Sequence, residues 1–193
     1  MAVAAFTNAR IYFAQYSLHS DHNQVQVEVG VKELTDTVFG DTAESVMGGQ
    51  GFVNASGGGF VTLGSNNIHD VLHKNLNAAD IPITISPDGG DDGEYAEFFK
   101  AREMTYRIGA PVGELLPFTW TAKAQGHHSI QGTILGTGAK TATANGTGRQ
   151  FGTLAGTKSI FATLHVTAVS GTLPTLDVLI QSDDNAGFAS PTT

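Results

Sequence analysis

Between Gln24 and Val31 the chain reads Gln-Val-Gln-Val-Glu-Val-Gly-Val, an unbroken alternation of polar or small residues with valine. A strand has a side-chain period of two, so Val25, Val27, Val29 and Val31 fall on one face and Gln24, Gln26 and Glu28 on the other. A helix would scatter the same valines around its circumference, and β-branching favours the extended form. Such a strand is apolar on one side only, so it needs a sheet around it and a core beneath it. The chain is therefore expected to be mainly β.

The surrounding sequence repeats the signal. Residues 10–18 read as a strand that turns through His19–Asn23 into the alternating run. A strand over about 51–62 follows, interrupted by Ser56-Gly57-Gly58-Gly59, which reads as a flexible loop tip. Thr42–Met47 is a short candidate helix. The spacing of Ile68, Val71, Leu72 and Leu76 predicts one α-helix over about 65–76, capped by Ser65 or Asn66. Pro82–Ile85 reads as a strand closed by Pro87 and the acidic turn Asp88–Glu94. Residues 94–108 fit either a helix or a strand, with strand favoured for the second half. Beyond Leu115 the runs at 115–124, 127–135, 159–169 and 175–183 all read as strands. Gly and Pro cluster at 109–116, a sub-boundary within what is read as one composite domain, 1–193, with a β-rich part over 115–193.

Composition narrows the function classes. Charged residues make up 15 %, against a usual ~25 %, and the formal charge is −8 with ten Lys plus Arg. Low charge beside 40 % hydrophobic content fits a folded chain that hides part of its surface in subunit contacts, or a Gly/Thr-rich β protein that simply has few charged side chains. The cations are scattered singly, so tight capture of nucleic acid is not expected. With no cysteine, disulfides and thiolate metal sites are excluded. The N-terminus lacks the basic start of a secretory signal, and no apolar run approaches the ~20 residues of a membrane helix, so the chain reads as soluble and made in a cytoplasm.

Candidate chemistry is thin. His69 and His73 stand four apart on the predicted helix, the spacing of two metal ligands, but without the Glu of a zinc peptidase or a nameable third ligand. Asp88, Asp91, Asp92 and Glu94 suggest calcium, yet an EF-hand alignment puts Gly90 and Phe99 at ligand positions. An exposed acidic turn accounts for them better. His127, His128 and Ser129 form no nucleophile elbow, and neighbours on a strand point to opposite faces. Gly57–Gly59 lacks the Lys-Ser/Thr of a phosphate loop. No catalytic, cofactor or metal site is expected.

Two stretches carry a resemblance. The path from Arg10 through the alternating strand to Lys32–Gly49 is similar to the first hairpin of the tail tube proteins of long-tailed bacteriophages, and Leu164–Thr193 resembles the C-terminal β portion of one branch of that family. The resemblance implies a tail-tube-type β-sandwich or barrel whose long hairpins join those of neighbours into a multi-subunit β-barrel. It implies a structural virion protein of the tail, made in the host cytoplasm. Rings, usually hexameric, would stack into a tube around a tape-measure protein and meet tail-end proteins. Double-stranded DNA would pass through the channel, with no membrane partner. Gln24, Gln26 and Glu28 would then face the lumen, and Val25, Val27, Val29 and Val31 the protein layer outside it. Asn54, Ser56 and Gly58, with Asp88, Asp91 and Asp92, would be contacts between stacked rings. The alternative is a carbohydrate- or receptor-binding β-sandwich of a phage tail; such modules usually expose aromatic platforms for sugar rings, and the C-terminal half has only Phe118, Trp120, Phe151, Phe161 and Phe188 to serve as them. Trp120, in an alternating strand, fits a core position better.

Overall fold

The computed structural model describes residues 8–39, 42–126 and 129–142, and beyond them 146, 148–149, 152, 156, 159–172, 174–181 and 183. Nine strands form one sheet: β1 (Asn8–Phe13), β2 (Tyr16–Ser17), β3 (His22–Thr35), β4 (Val46–Phe60), β5 (Ile81–Ser86), β6 (Asp88–Gly89), β7 (Tyr95–Ile108), β8 (Pro117–Ala124) and β9 (Ile130–Thr133). The spatial order is β2-β1-β5-β7-β8-β4-β3, with β6 added parallel to β1 and β9 antiparallel to β7. One α-helix among the described residues, α1 (Ile68–Asn75), packs Ile68, Val71 and Leu72 into the core.

The order of strands forces the sheet to curl. β2 and β3 stand at opposite ends of the sheet, yet only Leu18–Asp21 lie between them in sequence. A flat sheet would separate those ends by roughly 29 Å, at about 4.8 Å per interval. The link, fully extended, reaches about 18 Å. The sheet bends accordingly, and the rings of Phe13 (β1) and Trp120 (β8), three intervals apart along the sheet, meet edge to face at 5.9 Å. Inside the trough lie Ile11, Phe13, Leu18, Val53, Ala55, Ile83, Phe99, Phe118 and Trp120, with α1 packed against them. The sheet stays open, its β3 edge unpaired among the described residues.

The closing link explains the glycine run. Gly57, Gly58 and Gly59 are buried positions inside β4, paired to β3 on one side and β8 on the other, so the expected loop tip is a continuous strand. A Cβ on Gly59 would run into the carbonyl of Asp21, the last residue of the link, and one on Gly57 would stand 2.6 Å from Trp120 Nε1. That close approach lets the indole N–H donate to His22 Nε2 at 2.7 Å. His22 Nδ1 donates in turn to the Leu18 carbonyl at 2.7 Å, which fixes the neutral tautomer. Burial, the larger influence, holds the His22 pKa below its ordinary value. The glycines are required by packing, not by mobility.

Other expectations change with pairing. The run at 10–18 is split into β1 and β2 by a tight turn with Ala14 at φ 53°. Thr42–Ser45 is non-helical and leads into β4, because the hairpin needs those residues as its turn. α1 starts one turn late: Asn66 is left-handed, Asn67 is the N-cap residue, and Asp70 reaches back to the Asn66 N–H. Residues 95–108 are strand throughout, with a bulge at Met104, and the 109–116 cluster is the loop of the β7–β8 hairpin inside the sheet. The described residues of 159–181 form no strand, although their propensity is β. Side chains hold part of this segment instead: His165 stacks on Tyr12 at 5.4 Å, donates from Nδ1 to Ala14 O and meets Thr84 Oγ1 at 2.7 Å.

Glu103 is 1 % exposed and neither carboxylate oxygen has a hydrogen-bond partner. Desolvation pushes its pKa up to about 8. Because the folded state then holds a proton that the unfolded chain releases near pH 4.5, stability is full below that pH and is lost as pH rises through about 8. Urea denaturation at pH 5 and pH 9 is expected to show this loss, and Glu103→Gln to abolish it. Gly59→Ala is expected to destabilise by about 2 kcal/mol or more in the same assay, since backbone must shift to admit the methyl.

Candidate functional site

Strand alternation carries a second face away from the core. Across β3, β4, β8 and β7 the register sets residues in rows. Glu28, Asn54, Lys123 and Arg102 form one row; Gln26, Ser56, Thr121 and Thr105 the next; Gln24, Gly58, Thr119 and Arg107 the third. Their sequence neighbours Val25, Val27, Val53, Ala55, Phe118, Trp120 and Ala122 belong to or pack against the core. The rows are therefore a polar block of sheet, open to solvent at Gln24, Gln26, Glu28, Thr119, Thr121, Lys123 and Arg107.

Hydrogen bonds tie the block together. Asn54 Nδ2 donates to Glu28 Oε2 at 3.2 Å, and the hydroxyls of Thr105 and Thr121 meet at 2.8 Å. Arg102 donates from Nη1 to the side chain and backbone oxygens of Asn77, just past α1. Phe52, seated over Gly30, and Phe60 border the block at either end of β4.

The candidate residues are thus regrouped. Gln24, Gln26 and Glu28 share a face as read. Asn54, Ser56 and Gly58, expected in a loop, lie mid-strand on that same face, since pairing on both sides leaves them no loop to occupy. Asp88 sits in β6, and Asp91 and Asp92 are exposed in the turn after it, where Glu94 caps the Asp91 N–H. The valines divide: Val25 and Val27 pack against the core, while Val29 and Val31 are 53 % and 59 % exposed. Past them β3 and β4 run on as an arm, with Leu34, Val38, Phe39, Val46 and Met47 exposed as well. Thr105, Thr119, Thr121, Lys123 and Arg107 were not singled out from sequence. The alternation Phe118-Thr119-Trp120-Thr121-Ala122-Lys123 carries the same signal as β3 and would have found three of them.

His69 Nδ1 is engaged with the Tyr106 hydroxyl at 3.0 Å, its ring 5.9 Å from that of His73. Among the described residues no group of three or more His, Asp or Glu is placed to hold a metal. His127 and His128 lie outside the described residues. Trp120 and Phe118 are buried, which removes them as sugar platforms; Phe151 and Phe188 lie outside the described residues. No helix is long and apolar enough to cross a membrane among the described residues.

Comparison with protein-family models and with curated proteins gives no match. Solved structures do match in fold. A chain of the virion of a native gene transfer agent particle superposes with a TM-score of 0.50 at 7 % identity, covering 65 % of this chain and 97 % of its own. A chain from the sheath/tube terminator of the PVC extracellular contractile injection system gives 0.51 at 13 %, covering 69 % and 99 %. The SPP1 tail tube gives 0.51 at 10 %, covering 65 % and 77 %. Among the described residues the fold is mainly β, one curled and mainly antiparallel sheet with one α-helix, and these tail and tube structures match it in fold. Because the polar block is solvent-facing, Gln26→Ser is expected to change unfolding free energy by no more than about 0.5 kcal/mol, measured by urea denaturation.

Proposed function

We propose that this chain is a structural subunit of a virion tail, assembling with copies of itself into rings that stack as a tube. The observation that carries the reading is a single sheet with two opposed properties. It has a polar face lacking any apolar side chain across its central rows, and it extends into an arm on which Val29, Val31, Leu34, Val46 and Met47 are exposed among the described residues.

The open β3 edge supports this physically. A strand edge leaves N–H and C=O groups without partners and invites pairing with another chain. Joining arms from several copies, six on the family resemblance, would satisfy those groups and close a continuous barrel. Val29, Val31, Leu34, Val46 and Met47 would be covered by the neighbour, while Gln24, Gln26, Glu28, Ser56 and Thr121 would line the channel. Asp88, Asp91 and Asp92, at a distance in sequence from the arm, remain candidates for contacts between rings. On this reading a tape-measure protein and tail-end proteins are the other partners, and the channel is the conduit for genomic double-stranded DNA. The role is structural rather than enzymatic.

Electron microscopy of the purified protein is expected to show rings or tubes with an axial hole; a persistent monomer at high concentration would overturn the proposal. Val31→Asp is expected to abolish assembly while leaving the monomer's unfolding free energy within about 0.5 kcal/mol of the parent, because Val31 is exposed there. Val27→Asp is expected to damage both, since Val27 packs against the core.

A further inference from the structure

We infer that the polar block of β3, β4, β8 and β7 contacts the phosphate backbone of duplex nucleic acid transiently and without sequence preference, through Lys123 and Arg107. The inference rests on the reading of this face as a channel lining and gives that lining a chemistry opposite to the charge of the whole chain. Eighteen acids outnumber ten Lys plus Arg in the sequence. On the three rows the balance reverses: Lys123, Arg102 and Arg107 stand against Glu28 alone, three positive charges less one negative. Glu28 is two strands from Lys123 and accepts from Asn54 instead. Arg102 is bound to Asn77, which leaves Lys123 and Arg107, both exposed, as the cations able to reach outward.

The side chains around these two cations select the partner. A stable protein interface has an apolar centre, and none of the row residues is apolar. A single nucleic-acid strand is held by successive aromatic platforms, and Phe60 is the lone exposed aromatic at the border of the block. Thr119, Thr121, Ser56, Gln24 and Gln26 instead offer hydroxyl and amide hydrogens on a regular sheet. That set makes shallow hydrogen bonds to phosphate oxygens and reads no base edge. A duplex presents phosphates outward and conceals its bases, so it fits this surface. The net −8 of the chain repels it elsewhere, which confines contact to this face and keeps the contact weak.

The test uses the full-length protein and a fluorescein-labelled 24-base-pair duplex of mixed sequence, followed by anisotropy at low salt. Weak binding is expected, falling with salt at a log–log slope of about −2, as for two neutralised phosphates per subunit. Lys123→Gln with Arg107→Gln is expected to lower affinity by about tenfold at the lowest salt. Lys74→Gln with Lys140→Gln, which removes equal charge outside the sheet, is expected to change it less than twofold. Equal loss in both double variants, absence of binding at low salt, or tighter binding of the matching single strand would each overturn the inference. Electron microscopy of Lys123→Gln with Arg107→Gln separates this from the assembly reading: tubes without duplex binding in the parent reject only the phosphate contact, and duplex binding without tubes rejects only the tube.

Discussion

The short link between the two ends of the sheet governs this structure. Four residues, Leu18–Asp21, join β2 at one end to β3 at the other, a distance the chain spans only if the sheet curls. Curling creates an inside, where Phe13 and Trp120 touch across the trough, and an outside free of that core. The link itself needs room, and β4 supplies it by carrying glycine where Asp21 and Trp120 press against its backbone. His22 then locks the closure by bonding the link's Leu18 carbonyl on one side and the Trp120 indole on the other.

Once the sheet is curled, alternation along four strands does the rest. Each core residue of β3, β4 and β8 has a polar neighbour pointing outward, and the register aligns those neighbours into rows. The same β3–β4 pair continues beyond the core as an arm, where the apolar half of the alternation has no trough to enter. One hairpin thereby carries both a polar face and an exposed apolar arm.

Buried polar groups show how far the core tolerates exceptions. His22 is fully bonded and neutral, while Glu103 is enclosed without a partner and keeps its proton to near pH 8. The C-terminal segment illustrates a different limit. Its residues have the composition of strands, but contacts from the His165 and Thr163 side chains to Tyr12, Thr84 and the Ala14 carbonyl hold part of it. Strand propensity describes a surface that packs well once a ladder exists; it does not supply the neighbour.

Much was legible from the residues because side-chain period is a local property. The Gln24–Val31 alternation determined a strand, its two faces and the mainly β class, and Ile68, Val71 and Leu72 determined the core face of the one helix. Tertiary structure alone decided what those faces meet. It turned Gly57–Gly59 from an apparent loop into the point of closest approach, and moved Asn54, Ser56 and Gly58 onto the polar face. It separated Val25 and Val27 from Val29 and Val31, which the alternation treats as equivalent. The reason is that burial depends on which strand arrives opposite, and strand order is fixed by the closure of the whole sheet rather than by any window of sequence.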